Sequence, residues 1–349
     1  MEIDVGLDAT GLSYDAEAQI AAQAARLGYG AIWIGSIGDP FQACALRWAA
    51  TRAVVPDGIG TAIGVVPIGP QTPASLALSA AALGRLTGGR FILGIGSGAV
   101  HEPGYRRTWG IAERSALALT RAYLQTVRGF LAGEAVTYRG SGLSYDGARL
   151  AGKPVPAPLY LGAGGPEMIR LGGELADGVY LSWCTPGSVS WTRERMTEGA
   201  ARAGRDPAGV RLAASVRVCI DDDEQAARRA LAHALLPYVL GSGGVPPRHY
   251  RAGWERMGFA AEVAELSRMS ERGLARDEIT EAFPERMLRG LGYFGPAGGA
   301  AQAVRQQVAG ADTAVVRIVP ARPGLESVSA ILDACRPAPN DMVVTTTHT

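Results

Sequence analysis

Short, unbroken apolar runs alternate with alanine-rich stretches along almost the whole of this chain, and few architectures accept that rhythm. Runs over 3–7, 31–34, 60–66, 91–95, 159–161, 178–181, 212–220 and 315–319 read as strands. Stretches over 14–27, 41–51, 73–86, 113–131, 166–174, 186–203, 224–240, 302–308 and 325–335 read as helices. Local signals support the boundaries. Gly28 closes the first helix, and Thr72 stands as an N-cap before Pro73 at the first helical position. The strands lack polar alternation, as strands buried on both faces of a helix-covered parallel sheet do. Eight such units, in roughly 250 residues plus insertions, suit a (β/α)8 TIM barrel. A doubly wound open sheet would place GxGxxG directly after its first strand. Here that strand runs into Asp8-Ala9-Thr10-Gly11.

Two segments break the rhythm. Residues 132–158 are rich in Gly, Tyr and Pro, and residues 241–292 form a long polar insertion after the seventh strand, with a helical stretch near 262–272. Insertions after barrel strands lie at the C-terminal mouth, where active sites sit. The segment 241–292 is therefore expected to cover that mouth; a surface excursion or a dimer contact is the other reading. The expected organisation is one barrel domain over 1–338 and a mobile, Thr-rich tail over 339–349.

Composition excludes several classes. The chain has 349 residues, 47% of them hydrophobic, and 34 basic against 33 acidic side chains. A hydrophobic fraction that high with a net charge of +1 argues against disorder. No basic surplus exists to neutralise nucleic-acid phosphates. Cys44, Cys184, Cys219 and Cys335 lie far apart without a CxxC, against a disulfide scaffold or a zinc site, and no metal is expected. The opening Met1-Glu2-Ile3-Asp4 has no basic region before an apolar run, so no secretory leader is expected, and no apolar run reaches the ~18 residues that span a bilayer. A cytoplasmic protein with reduced thiols and no membrane partner is expected.

Chemistry is expected where strands end. Gly94-Ile95-Gly96-Ser97-Gly98 closes the fourth strand, and its alternate glycines either let a planar ligand approach the backbone or form a tight turn. Leu161-Gly162-Ala163-Gly164-Gly165-Pro166 is a strand, small residues, then proline at a helix start. Free amides of Ala163, Gly164 and Gly165, with the positive end of the helix dipole, would hold a phosphate. Gly64-Val65-Val66-Pro67 ends the third strand and reads as buried strand, with a bulge as the alternative. His101 and Glu102 follow the fourth strand, where a general acid would stand; an exposed loop histidine is the plain reading. His233, His249 and His348 lie in a helix, the insertion and the tail. Asp8, Ser36, Asp39, Ser182, Trp183 and Cys184 mark other strand ends. Arg217 and Arg317 sit inside strands, where an arginine must be paired or face a ligand. An internal pair with Asp177 or Asp221 is the first expectation. HExxH, Gly-x-Ser-x-Gly and Walker motifs are absent.

Taken in order, several of these runs resemble the bacterial luciferase-like superfamily. They are Ala31-Ile32-Trp33-Ile34, Asp39-Pro40-Phe41, Gly60-Thr61-Ala62-Ile63-Gly64-Val65, Leu86-Thr87-Gly88-Gly89-Arg90-Phe91-Ile92-Leu93-Gly94-Ile95-Gly96, Gly162-Ala163-Gly164-Gly165-Pro166-Glu167-Met168, and Leu171-Gly172-Gly173-Glu174-Leu175-Ala176-Asp177-Gly178-Val179. The chain looks most like the short members that use coenzyme F420, related to methylenetetrahydromethanopterin reductase. The resemblance implies that Gly64-Val65 is a non-prolyl cis peptide behind the cofactor ring. It implies that Gly96 and Ser97 line that ring, that Ala163, Gly164, Gly165 and Pro166 hold the phosphate, and that the protein is a homodimer. Relatives carry an acid or histidine after the second strand, where this chain has Gly35-Ser36-Ile37-Gly38. Some carry a glutamate after the fourth-strand glycines, where it has Ala99. The proton donor therefore does not carry over, and His101, Glu102, Asp39 or water is expected in its place. The implied function is hydride transfer between the deazaflavin and a small organic substrate, with reduction of an activated C=C or C=N bond as the direction. An FMN-dependent monooxygenase using O2 is the alternative, and a non-catalytic ligand-binding barrel the third reading.

Overall fold

Alternate residues of each barrel strand face either the interior or a jacket of helices, and neither face meets water. In the computed structural model, which describes residues 1–7, 12–35, 38–241 and 248–338 (the side chains of Arg248 and His249 apart), the strands are β1 (Glu2–Gly6), β2 (Ala31–Ile34), β3 (Gly60–Pro67), β4 (Phe91–Gly96), β5 (Val136–Gly140), β6 (Leu143–Ala148), β7 (Leu159–Gly162), β8 (Gly178–Leu181), β9 (Arg211–Ile220), β10 (Gly292–Gly295) and β11 (Thr313–Ile318). Parallel pairing runs β1-β2-β3-β4-β7-β8-β9-β11 and returns to β1, which closes the expected eight-stranded (β/α)8 barrel. On β9, Leu212, Ala214, Val216 and Val218 pack under the helices, while Ala213 joins Trp33, Tyr160, Tyr180 and Val315 in the interior. That double burial is why the strands read as continuous apolar runs.

Helix starts follow the capping chemistry read from the chain. Thr72 accepts the Ser75 amide at 3.2 Å, and Asp39 accepts those of Phe41 and Gln42. Gly28, just past the first helix, takes φ 85°.

Three features escaped the periodicity. The segment 132–158 holds an antiparallel hairpin, β5–β6, turning through Ser141 (φ 49°) and Gly142 (φ 80°). Two central residues with positive φ are what a tight hairpin turn requires. A short helix, Pro103–Trp109, follows β4, so the next helix begins only at Ala116, capped by Ser115. The region after β9 is also less polar in effect than in composition. Its helices Arg248–Arg256, Ala260–Glu271, Arg276–Glu281 and Glu285–Leu291 bury Trp254, Phe259, Val263, Leu266, Ile279, Phe283, Met287, Leu288 and Leu291 together with Trp183 and Phe294. β10 then pairs with Arg217–Ile220 of β9, on the edge that β8 uses lower down. The tail expected over 339–349 lies outside the described residues, as do Asp8, Ser36 and His348.

Inside the barrel floor, Asp4 is 4% exposed and accepts the Trp33 indole N–H at 2.7 Å. Burial pushes its carboxyl up to about 7, and the nearby Glu2 adds to the rise while the indole opposes it. A carboxyl raised on folding stabilises the native state most at low pH and loses that contribution as pH climbs from about 4 to 7. Asp4→Asn keeps an acceptor for Trp33 and removes the titration. It should melt higher than the wild type at pH 8 by the equivalent of a few kcal/mol, and no higher at pH 4, as read by calorimetry across that range.

Candidate active site

One extra residue in β3 organises the mouth. Ile63 pairs with Leu93 and Val66 with Ile95, so three steps on β3 match two on β4. The bulge holds a cis Gly64-Val65 peptide, at the position the family resemblance implied. The strand read over 64–67 is present, and it carries the bulge weighed as its alternative. Val65 is turned sideways into space that three glycines leave open. A Cβ on Gly96 would lie 2.7 Å from its Cγ2, one on Gly162 2.9 Å from its Cγ1, and one on Gly94 3.0 Å from Cγ1 and 2.1 Å from the Ile63 carbonyl oxygen. Gly96 and Gly162 are register partners on β4 and β7. The structure thus brings Gly64, Val65, Gly96 and Gly162 into one small-residue floor, with Ser97 directly after it, half-buried.

Beneath that floor Trp33 stacks on Tyr180, ring centroids 5.1 Å apart. Arg317 donates to the Gly64 carbonyl at 2.8 Å and to the Tyr180 hydroxyl, holding the bulge from the β11 side. Burial lowers the Arg317 guanidinium to about 10. Arg217 is also drawn below its ordinary value by burial; it donates to the Ser182 carbonyl and lies on the Trp183 ring. The internal pairing expected with Asp177 or Asp221 is corrected. Asp177 binds Arg128 and the Leu159 amide, and Asp221 binds Arg322, so neither carboxylate pairs with Arg217 or Arg317.

The floor continues from Gly162 into the start of the helix Pro166–Leu175. A Cβ on Gly164 or Gly165 would meet nothing within 4 Å. Among the described residues the amides of Gly164, Gly165, Glu167 and Met168 donate to no protein group, and the helix carries no side-chain cap. Ala163 departs from expectation: its amide donates to the Tyr180 carbonyl at 3.3 Å, because Ala163 still follows the β7–β8 pairing. The run of open amides therefore begins one residue later. Sequence reading missed Arg256, which reaches from the helix Arg248–Arg256 to donate to the Gly164 carbonyl and covers the Trp191 ring at 4.8 Å. Nothing local in the sequence links residues 92 apart.

Of the acid–base candidates, His101 and Glu102 form a pair, Nε2 to Oε1 3.1 Å, with Glu102 the more buried. Asp39 is exposed and its Oδ1 is committed to capping its own helix. Tyr105 was missed; its hydroxyl is buried without a partner, and burial raises it to about 12. Cys184 is buried against the Ser215 carbonyl with its thiol pushed up to about 12, so it holds no nucleophilic thiolate near neutrality. All four cysteines are free and buried.

A closed parallel barrel with a glycine-rich floor around Val65, beside an uncapped helix N-terminus, offers a surface for a flat group and a site for an anion at one mouth. A family model described as luciferase-like monooxygenase matches residues 1–316, and the chain belongs to that family. The 5,10-methylenetetrahydromethanopterin reductase of Methanolobus tindarius is 37% identical over 172 residues, 49% of this chain and 52% of that protein. The like-named enzyme of Archaeoglobus fulgidus is 34% identical over 50% of this chain and 51% of its own length. The chain thus spans about half the length of these curated relatives. The solved coenzyme F420-dependent tetrahydromethanopterin reductase from Methanopyrus kandleri superposes with a TM-score of 0.76, covering 96% of this chain and 98% of that one at 21% identity, which shows the shared fold.

Seating Val65 among glycines makes a measurable coupling. Gly96→Ala should destabilise by about 1–3 kcal/mol through overpacking. Combining it with Val65→Ala should recover more than half of that loss, a coupling that a double-mutant cycle in denaturant reads directly.

Proposed function

We propose that this chain is an oxidoreductase that uses coenzyme F420 and acts on a small organic substrate, reducing an activated C=C or C=N bond. The observation that carries the reading is the continuity of the glycine floor at Gly64, Val65, Gly96 and Gly162 with the open amides of Gly164 and Gly165. A flat ring and a phosphate tail need those two surfaces at one mouth, and the residues present fit both. When bound, the deazaflavin supplies hydride transfer at C5. The chain's own residues do the rest. Val65 supports the ring from behind, fixed through the Gly64 carbonyl by Arg317. Gly96 and Ser97 leave its edge clear. Gly164, Gly165 and the turn opened by Pro166 hold the phosphate against the helix dipole. His101, held through Nε2 by Glu102, would hand a proton from its other ring nitrogen, Nδ1, to the substrate atom that does not receive hydride. The helices following β9 shield the mouth from water, and Arg256 ties them to the cradle. In this reading the enzyme works in the cytoplasm as a homodimer; no helix among the described residues is long and apolar enough to cross a membrane.

The family model's own description favours a second reading, reduced FMN with O2. Fluorescence titration with F420 and with FMN decides: saturable F420 binding without FMN binding is expected, FMN binding alone reverses the assignment, and neither leaves a non-catalytic barrel. Gly165→Asp sharpens the test. An aspartate at that N-cap should keep or raise the melting temperature, yet weaken F420 by about tenfold or more by placing a carboxylate where the phosphate sits, while the deazaflavin lacking phosphate binds unchanged. His101→Ala should lower turnover by about 100-fold or more once a substrate is in hand, with F420 affinity unchanged.

A further inference from the structure

Arg217 and Arg317 are register partners on β9 and β11, both on the inward face near the C-terminal end of the barrel, and both almost fully buried at 7% and 8% exposure. Like charges at neighbouring positions on one sheet face oppose each other. Arg317 has its role in holding Gly64. Arg217 has no comparable one. It donates to the Ser182 carbonyl at 2.5 Å and hydrogen-bonds the Tyr238 side chain. The groups that favour its charged form are tyrosines, Tyr238, Tyr180 and Tyr250, and no carboxylate among the described residues pairs with it. Stacking on Trp183, 3.1 Å from guanidinium carbon to ring centroid, offsets part of the cost of burying the charge.

The same corner shows a second, independent imbalance. The indole N–H groups of Trp183 and Trp254, whose rings meet edge to face at 5.2 Å, are both buried without an acceptor among the described residues. Tyr238 and Tyr250, 5.4 Å apart, complete the aromatic wall. One buried cation and two orphaned donors thus share one corner and ask for the same thing, a compact group rich in acceptors. Buried polar groups in native proteins are rarely left in that state unless something else supplies the partner.

We propose that Arg217, with Trp183, Trp254, Tyr238 and Tyr250, forms a subsite for the carboxylate of a flat, conjugated acid. The guanidinium fork takes both carboxylate oxygens, and the rings flank the conjugated part. The proposal deepens the functional reading by naming a substrate class, and it uses that reading's placement of ligands at the barrel mouth.

Sodium benzoate is the probe, with sodium chloride at matched ionic strength as the control. In the wild type, benzoate should saturably change tryptophan fluorescence and raise the melting temperature, and chloride should do neither. Arg217→Met keeps volume and deletes the charge. It should lose both responses and, without benzoate, melt no lower than the wild type, since an uncompensated buried charge has gone. Arg217→Lys keeps charge without the fork and should bind benzoate at least about tenfold more weakly. A wild type with no saturable response, equal responses in wild type and Arg217→Met, or wild-type affinity in Arg217→Lys each overturns the subsite. If Arg217→Met does not fold, the wild type and Arg217→Lys decide. An F420 titration of the wild type keeps the two claims apart: F420 binding without benzoate binding ends only the subsite, and the reverse ends only the coenzyme assignment.

Discussion

Everything at the mouth follows from where one isopropyl group goes. β3 carries one residue more than its neighbour β4 across the bulge, and the surplus turns Val65 out of the strand's regular alternation. A side chain sent sideways across a parallel sheet meets the Cα atoms of the next strands, and only glycine yields there. Gly94, Gly96 and Gly162 are therefore one packing device spread over β4 and β7. Because those positions carry no side chains, Val65 occupies the space beside them. Because β7 ends on one of them, the chain leaves the floor directly into Gly164, Gly165 and the helix. The proposed ring surface and the proposed phosphate surface share a cause.

The barrel interior sorts its charges by height. At the bottom, Asp4 sits under Trp33, and Arg211 pairs with Glu2. In the middle the aromatic stack of Trp33 and Tyr180 excludes water. Near the top lie Arg317 and Arg217, with no carboxylate balancing Arg217 among the described residues. A closed barrel could fill these positions with branched apolar residues at lower cost. Retaining two guanidinia where ligands enter biases that end toward anions, in the same sense as the free amides of the cradle.

How much of this the sequence carried depended on whether the signal was local. Strand and helix positions were legible because burial on both faces leaves a continuous apolar run, and Thr72, Pro73 and Gly28 punctuate it. The glycine runs at 94–98 and 162–166 were legible as candidate surfaces, and the family resemblance supplied the cis peptide that residues alone could not. What failed was whatever joined distant residues. Arg217 looked like half of an ion pair because a buried charge needs a partner, but Asp177 and Asp221 are taken by Arg128 and Arg322. Ala163 looked like a free amide because it stands among glycines, yet it belongs to the β7–β8 ladder. The hairpin at 136–148 was hidden by its exposure, since its residues need bury only one face.

The insertion shows how an element with no strand of the barrel can still belong to the site. Its position after a barrel strand suggested a cover for the mouth, with an outlying excursion or a dimer contact as the other reading; its helices use their apolar faces to form a second core with Trp183, just past the end of β8. Trp183 in turn stacks on Arg217, inside the barrel. The same insertion sends Arg256 to the Gly164 carbonyl on the other side of the opening. It therefore touches the proposed substrate corner by packing and the proposed phosphate cradle by a hydrogen bond. An element fastened at both points gives the two subsites a fixed relation to each other. That relation is what hydride transfer demands, since donor and acceptor carbons must be held within a few tenths of an ångström of contact distance while water is kept out.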